Sequence, residues 1–174
     1  MPVRRLNPLR VVITGVENAG KSMLTEHLAD ALDWPHVKEA ARHDEAVIEQ
    51  RATPADLQRL LDDLHGALPV QRNTLFDTGP VVLDVWARTL WNHTLTGVDT
   101  ALAEVDLFLL CETLPDWEPD PLRSLPRLED RLALQQAYVH ALTASGRPWV
   151  ALPAVPIHDR VRLAREAIDT HFAR

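Results

Sequence analysis

The stretch that most narrows what this chain can fold into is Gly15-Val16-Glu17-Asn18-Ala19-Gly20-Lys21-Ser22, set between the apolar run Val11-Val12-Ile13 and the helical pattern Leu24-Thr25-Glu26-His27-Leu28-Ala29. Two glycines let the backbone turn tightly enough for its N–H groups to surround phosphate oxygens, and the helix that follows points its positive end at them. Lys21 then supplies an ammonium to the outer phosphates and Ser22 a hydroxyl ligand for Mg²⁺. The eight-residue pattern is met in full and in its strand-loop-helix setting. Lysine usage agrees: of 18 basic residues only Lys21 and Lys38 are lysines, and one of them stands where phosphate contact needs a compact ammonium rather than a guanidinium fork. The expectation is a nucleoside triphosphate with Mg²⁺, held by Gly15, Glu17, Asn18, Ala19, Gly20, Lys21, Ser22 and Met23.

Short β-branched runs alternate with helical patterns along the rest of the chain. That alternation predicts an α/β fold, a five-stranded parallel sheet with helices on both faces in the three-layer P-loop NTPase arrangement. Strands are expected at Leu9–Thr14, His36–Lys38, Thr74–Asp77, Asp106–Cys111 and Pro148–Leu152. The first helix should bury Leu24, Leu28, Ala31 and Leu32. A second helix starts at Thr53-Pro54-Ala55-Asp56, a capping box with proline in the first turn, and buries Leu57, Leu60, Leu61 and Leu64. A final helix is expected from Asp159 to His171. At 174 residues the chain suits one domain, 1–174.

A net charge of −7 argues against a surface built for nucleic acid. The single cysteine, Cys111 in Leu107-Phe108-Leu109-Leu110-Cys111, excludes an internal disulfide and fits a reducing, cytoplasmic setting. The basic start Met1–Leu6 is followed by too short an apolar run for a signal core, and no stretch is long enough to span a membrane. The eight histidines lack zinc-ligand spacing.

In open α/β sheets ligands bind at the strand ends. Glu39, beyond the second strand, and Asp77, ending the third, therefore bring two carboxylates near the loop, one to organise Mg²⁺ and one to meet an acceptor hydroxyl. A guanine-reading Asn-Lys-x-Asp is absent, which removes GTPase switches. Pro115, Pro119, Pro121 and Pro126 break the segment from about 112 to 131, where Arg123, Arg127 and Arg131 recur every four residues. It reads as a functional loop.

These residues carry a resemblance. The loop itself, with its acidic Glu17, Glu39-Ala40-Ala41-Arg42, Phe76-Asp77-Thr78, the run Pro115-Asp116-Trp117-Glu118-Pro119-Asp120-Pro121-Leu122-Arg123-Ser124-Leu125 and the later Asp130-Arg131 make the chain similar to the ribosylnicotinamide kinase domain of NadR-type proteins. The resemblance covers almost the whole chain. It implies γ-phosphate transfer from ATP to the 5′-hydroxyl of nicotinamide riboside or a related nucleoside. It also implies Lys21, Glu39, Asp77, Arg123 and Arg131 in catalysis, Ser22 and Asp77 on the metal, and Glu39, Arg42, Trp117 and Asp120 on the acceptor. Pro153-Ala154-Val155-Pro156 lies where such kinases pass the adenine. No adenylyltransferase half is expected. Ala40 and Ala41 replace the family's aromatic position, Asp116 separates Pro115 from Trp117, and Gly79 stands where the family has a second aspartate. Gly79→Asp is therefore expected to favour nicotinamide riboside over other nucleosides. Two other readings stay open, a nucleic-acid end-processing or motor ATPase and an idle ATP-binding regulator. Lys21→Ala should abolish ATP turnover with an unchanged melting curve, because the ammonium faces phosphate rather than the core; retained ATP affinity and rate would remove the phosphate-loop assignment.

Overall fold

Six consecutive buried positions, Val11 to Val16, set the middle of the molecule. Val11, Val12, Ile13 and Thr14 are fully buried because β1 (Arg10–Thr14) is the central strand of the sheet. The structure, a computed structural model, describes residues 7–120 and 122–173. Met1–Leu6, Pro121 and Arg174, and with them the reading of the basic start, lie outside the described residues.

The chain then runs α1 (Lys21–Leu32), β2 (His36–Val37), a 3₁₀ turn (Ala40–His43), α2 (Glu45–Ile48), α3 (Pro54–Ala67), β3 (Thr74–Asp77) and α4 (Pro80–Trp91). It continues through α5 (Val98–Ala103), β4 (Leu107–Cys111), α6 (Leu128–Ser145), β5 (Trp149–Leu152) and α7 (Ile157–Phe172). All strand pairings are parallel, in the order β2-β3-β1-β4-β5. The chain works outward from β1 on one side and then on the other, so the order reverses at β1 and a crevice opens at its carboxyl end. Helices α1 and α7 pack together as one layer; α4 packs with α3, α5 and α6 as the other. This is the three-layer α/β fold expected from the alternation. No described helix is long and apolar enough to cross a membrane.

Local chemistry explains the elements. Asp56 Oδ2 accepts from the Thr53 N–H and hydroxyl, both at 2.8 Å, closing the start of α3, and Leu57, Leu60 and Leu61 are buried beneath it while Leu64 is half-covered. In α1, Leu24 and Leu28 are buried as expected, but Ala31 is exposed and Leu32 only half-buried. Thr25 and Ala29 take inner positions beside them. Helix α4 has no clear amphipathic pattern in the sequence. Pro80 through Val85 are all buried, since this helix lies between the sheet and its neighbours.

Two glycines have no substitute. A Cβ on Gly15, at φ +142°, would lie 2.7 Å from the Cys111 carbonyl oxygen, where β1 passes into the loop beside the end of β4. Gly79 is extended, at φ −146°, yet a Cβ there would lie 2.4 Å from Val12 Cγ1. Val12 is fully buried and β-branched, so it has no rotamer to retreat into. Any aspartate at position 79 is driven into β1. The expectation that Gly79→Asp improves an acceptor site is therefore corrected: the position is glycine because the turn from β3 to α4 lies against the sheet. Gly79→Asp should destabilise the protein by about 1–3 kcal/mol or more, seen as a melting temperature several degrees lower in thermal unfolding; an unchanged melting temperature would mean that Val12 yields freely.

Candidate phosphate and acceptor site

The loop between β1 and α1 has the backbone that a phosphate cradle needs. Asn18 and Gly20 lie in the left-handed region at φ +60° and +78°, so successive N–H groups turn inward before α1 begins at Lys21. Lys21 Nζ donates to the Val16 carbonyl at 2.9 Å, folding the ammonium over the loop. Met23 places its side chain outward, 57% exposed, in the first turn of α1.

Parallel register brings Asp77 level with Ile13, one residue short of Thr14, and the Thr78 N–H donates to the Ile13 carbonyl at 2.9 Å. The Asp77 carboxylate is buried beside the loop, close enough to Ser22 for that hydroxyl to favour its charged form, and leaves Oδ1 without a protein partner. Burial pushes its pKa up, with nearby Glu39 adding to the rise; Ser22, Lys21 and Arg42 oppose it. A buried carboxylate oxygen without a partner, next to a hydroxyl at the end of the phosphate loop, is a donor pair suited to a hydrated divalent cation.

Glu39 follows β2 and is held by Arg42 Nε at 3.2 Å across the 3₁₀ turn. The same guanidinium reaches Asp120 Oδ2 at 3.6 Å. Asp120 also accepts from the Leu122 N–H at 2.9 Å, and this bond, with Arg42 and Arg123 nearby, holds its carboxyl below the usual carboxylate range. Arg42 thus links the carboxylate after β2 to the proline-rich lid.

A cavity of about 310 Å³ starts at this group. Gly15, Lys21, Glu39, Arg42, Thr78 and Arg123 line its polar end; its far end is apolar, with Val82, Trp86 and Leu90 from one face of α4 opposite Ala41, Val47 and Leu57. The wall opposite α4 is fastened where Asp44 accepts from the Val47 N–H at 3.1 Å and pairs with Arg59. The α4 wall was not read from the sequence. Its signal is the i, i+4, i+8 spacing of Val82, Trp86 and Leu90, obscured because neighbouring positions are buried as well. Thr78 was also missed as a lining residue, and its φ of +69°, rare for a β-branched residue, is visible only in the structure.

The three lid arginines take three different positions. Arg123 is half-buried, lines the cavity and donates to the Glu118 carbonyl. Arg127 points outward, paired with Glu129 and Asp130. Arg131, expected beside Arg123 as a phosphate-facing arm, is instead 1% exposed. It donates to the carbonyls of Leu125, Pro126, Leu114 and Pro115 at 2.7–3.2 Å and lies 5.1 Å from the centre of the Trp117 ring. A segment broken by prolines has few N–H donors of its own and leaves carbonyls unpaired, and Arg131 satisfies four of them. Trp117, expected against an acceptor ring, stands under Arg131, while Trp86 and Trp91 line the cavity.

Two loop residues fasten this lid. Glu17 accepts from the N–H groups of Ser124, at 2.8 and 3.0 Å, and of Leu125. Asn18 donates to the Asp116 carbonyl and accepts from the Glu118 N–H at 3.3 Å. Their side chains therefore serve the lid, whereas their backbone belongs to the cradle.

Five parallel strands with this loop at the carboxyl end of the central one, and a strand-end aspartate beside it, define a P-loop NTPase fold. The chain belongs to the AAA domain family, which matches residues 10–160. No curated protein matches it. Among solved structures, the NadR protein in complex with NR aligns with a TM-score of 0.75 at 19% identity, covering 96% of this chain and 52% of that one. NadR in complex with NAD and AMP-PNP aligns at 0.71 and 20%, over 96% and 50%. Deoxyadenosine kinase from M. mycoides with products dCMP and dCDP aligns at 0.63 and 16%, over 93% and 99%. The chain spans about half the length of the NadR chains. At these identities the likeness is one of fold.

The raised Asp77 value has a consequence for stability. Because the folded-state pKa lies above that of the unfolded chain, the contribution to stability is fully present below the ordinary carboxylate range and is lost as pH rises through the raised value. Asp77→Asn should therefore raise the melting temperature of the nucleotide-free protein at pH 7 by roughly 2–4 °C. The gain should shrink as the pH is lowered towards 4, while Mg²⁺-dependent turnover falls far more than metal-free nucleotide binding. A gain that persisted unchanged at low pH would mean the carboxylate carries no buried charge.

Proposed function

We propose that this chain is an ATP-dependent small-molecule kinase that transfers the γ-phosphate to the 5′-hydroxyl of nicotinamide riboside or a related nucleoside. One observation carries the reading: a single cavity is lined by Lys21 of the phosphate loop, by the Glu39 carboxylate and by apolar side chains that include Val82, Trp86 and Leu90. A phosphate-facing cation, a carboxylate and an apolar wall in one cavity are the parts a transfer to a bound acceptor needs. The NadR and deoxyadenosine kinase likenesses support it, since those proteins bind a riboside and nucleotide products on the same fold.

The roles follow from charge and position. Backbone N–H groups of the Gly15–Ser22 loop hold the phosphates and Lys21 neutralises the outer ones. Ser22 and Asp77 are the oxygen donors that would hold Mg²⁺. When bound, the ion neutralises phosphate charge. Glu39 orients the acceptor hydroxyl and accepts its proton as the oxygen bonds to phosphorus and the bond to the departing ADP breaks. Arg42 holds Glu39 for that task. Arg123 is the lid cation that meets the transferring group, with most of its effect where charge develops.

Purified enzyme, ATP, Mg²⁺ and a panel of pyridine ribosides and nucleosides should yield a 5′-mononucleotide. Arg123→Ala should lower kcat by about ten- to a thousandfold with little change in ATP affinity, and Glu39→Gln should also lower kcat. No phosphorylated product from any acceptor, or ATP hydrolysis that responds to DNA or RNA, would overturn the kinase reading.

A further inference from the structure

At the first turn of α7, behind the phosphate loop, stands an arginine that the roles above leave unused. Arg160 is 3% exposed. Its Nη1 donates to the Ala19 carbonyl at 2.7 Å, Nε to the Pro153 carbonyl at 2.9 Å and Nη2 to the Glu112 carbonyl at 3.4 Å. One planar group thus joins the phosphate loop, the connection from β5 to α7, and the point where the lid leaves β4. Among the described residues no carboxylate forms an ion pair with it.

Buried guanidinium groups are ordinarily matched by a carboxylate. Carbonyl oxygens give each nitrogen of this one a partner but leave its unit charge unmatched, and the charge lies against the Ala19 and Gly20 backbone of the loop. A Cβ on Gly20 would stand 3.5 Å from Nη1, so guanidinium and loop are in direct contact. Arg160 and Lys21 both oppose the rise of the buried Cys111 thiol to about 11, which sets the two cations around the same point at the end of β4.

We propose that Arg160 is a positioning residue for the triphosphate: from behind the loop it fixes the Ala19 and Gly20 backbone in the phosphate-binding shape and adds positive potential there that only a bound polyanion neutralises. The inference rests on the nucleotide half of the proposed function and not on the acceptor.

Arg160→Gln removes the charge, and Arg160→Lys keeps it but gives up the fork. Arg147→Lys serves as a comparison: Arg147 also donates to a carbonyl, that of Val105 at 3.1 Å, but at the opposite end of the sheet. Dissociation constants for tripolyphosphate and AMP-PNP are measured by calorimetry beside thermal unfolding. Arg160→Gln should weaken both ligands by about tenfold or more, with Arg160→Lys between it and the wild type. Arg147→Lys should lower the melting temperature and leave both constants unchanged. At saturating ATP the acceptor KM of Arg160→Lys should stay within about twofold of the wild type. Tripolyphosphate affinity within twofold of wild type in Arg160→Gln, or in Arg160→Lys should the glutamine variant not fold, overturns the proposal. So does an equal loss in Arg147→Lys, which would make the effect one of stability. Wild-type protein that binds neither polyphosphate overturns the nucleotide reading and this inference together, whereas binding without any phosphorylated riboside overturns only the acceptor half.

Discussion

Everything at the site depends on how closely the chain passes from β1 to the phosphate loop. Gly15 crosses the Cys111 carbonyl with no room for a side chain, so the loop rises directly from the end of the central strand. From there the geometry is inherited. Thr78 bonds to Ile13, which sets Asp77 beside Ser22, and Gly79 lies against Val12, which sends α4 off along the sheet to wall the cavity. A bulkier residue would press on the Cys111 backbone at position 15 and on the buried, β-branched Val12 side chain at position 79, neither of which yields easily, so the constraint is local and its reach wide.

The second organising feature is the attachment of the lid. A segment interrupted by prolines cannot satisfy itself through helical hydrogen bonds, so other residues must do so. Arg131 collects four of its carbonyls from below, and Glu17 and Asn18 take or fill its N–H and carbonyl groups from the phosphate loop. Arg42 adds an ionic link to Asp120. The lid is therefore tied to the glycine-rich loop after β1, and Arg123 is carried to the cavity by bonds made mostly by its neighbours.

This arrangement explains which residue roles could be read early. The loop that holds Lys21 and Ser22 is legible because its pattern is contiguous, so spacing alone places it between β1 and α1. The capping box at Thr53 and Asp56 is legible for the same reason. Arg123, Arg127 and Arg131 share a spacing of four and look equivalent on paper, yet one lines the cavity, one is solvated and one is buried. Helical spacing says which residues share a face. It does not say which donors a distant proline-rich loop will need.

The sequence by itself determined the α/β class, the place of the phosphate loop and the strand ends that carry Glu39 and Asp77, because these follow from contiguous patterns and from strand alternation. The tertiary structure decided the rest. It set Glu17 and Asn18 to fastening the lid, placed Trp117 under Arg131, gave the chamber its wall of Val82, Trp86 and Leu90, and brought Arg160 behind Ala19 across 141 positions of chain. Such roles come from what each side chain meets after the sheet is assembled, and partners far apart in the chain leave no periodic trace in it.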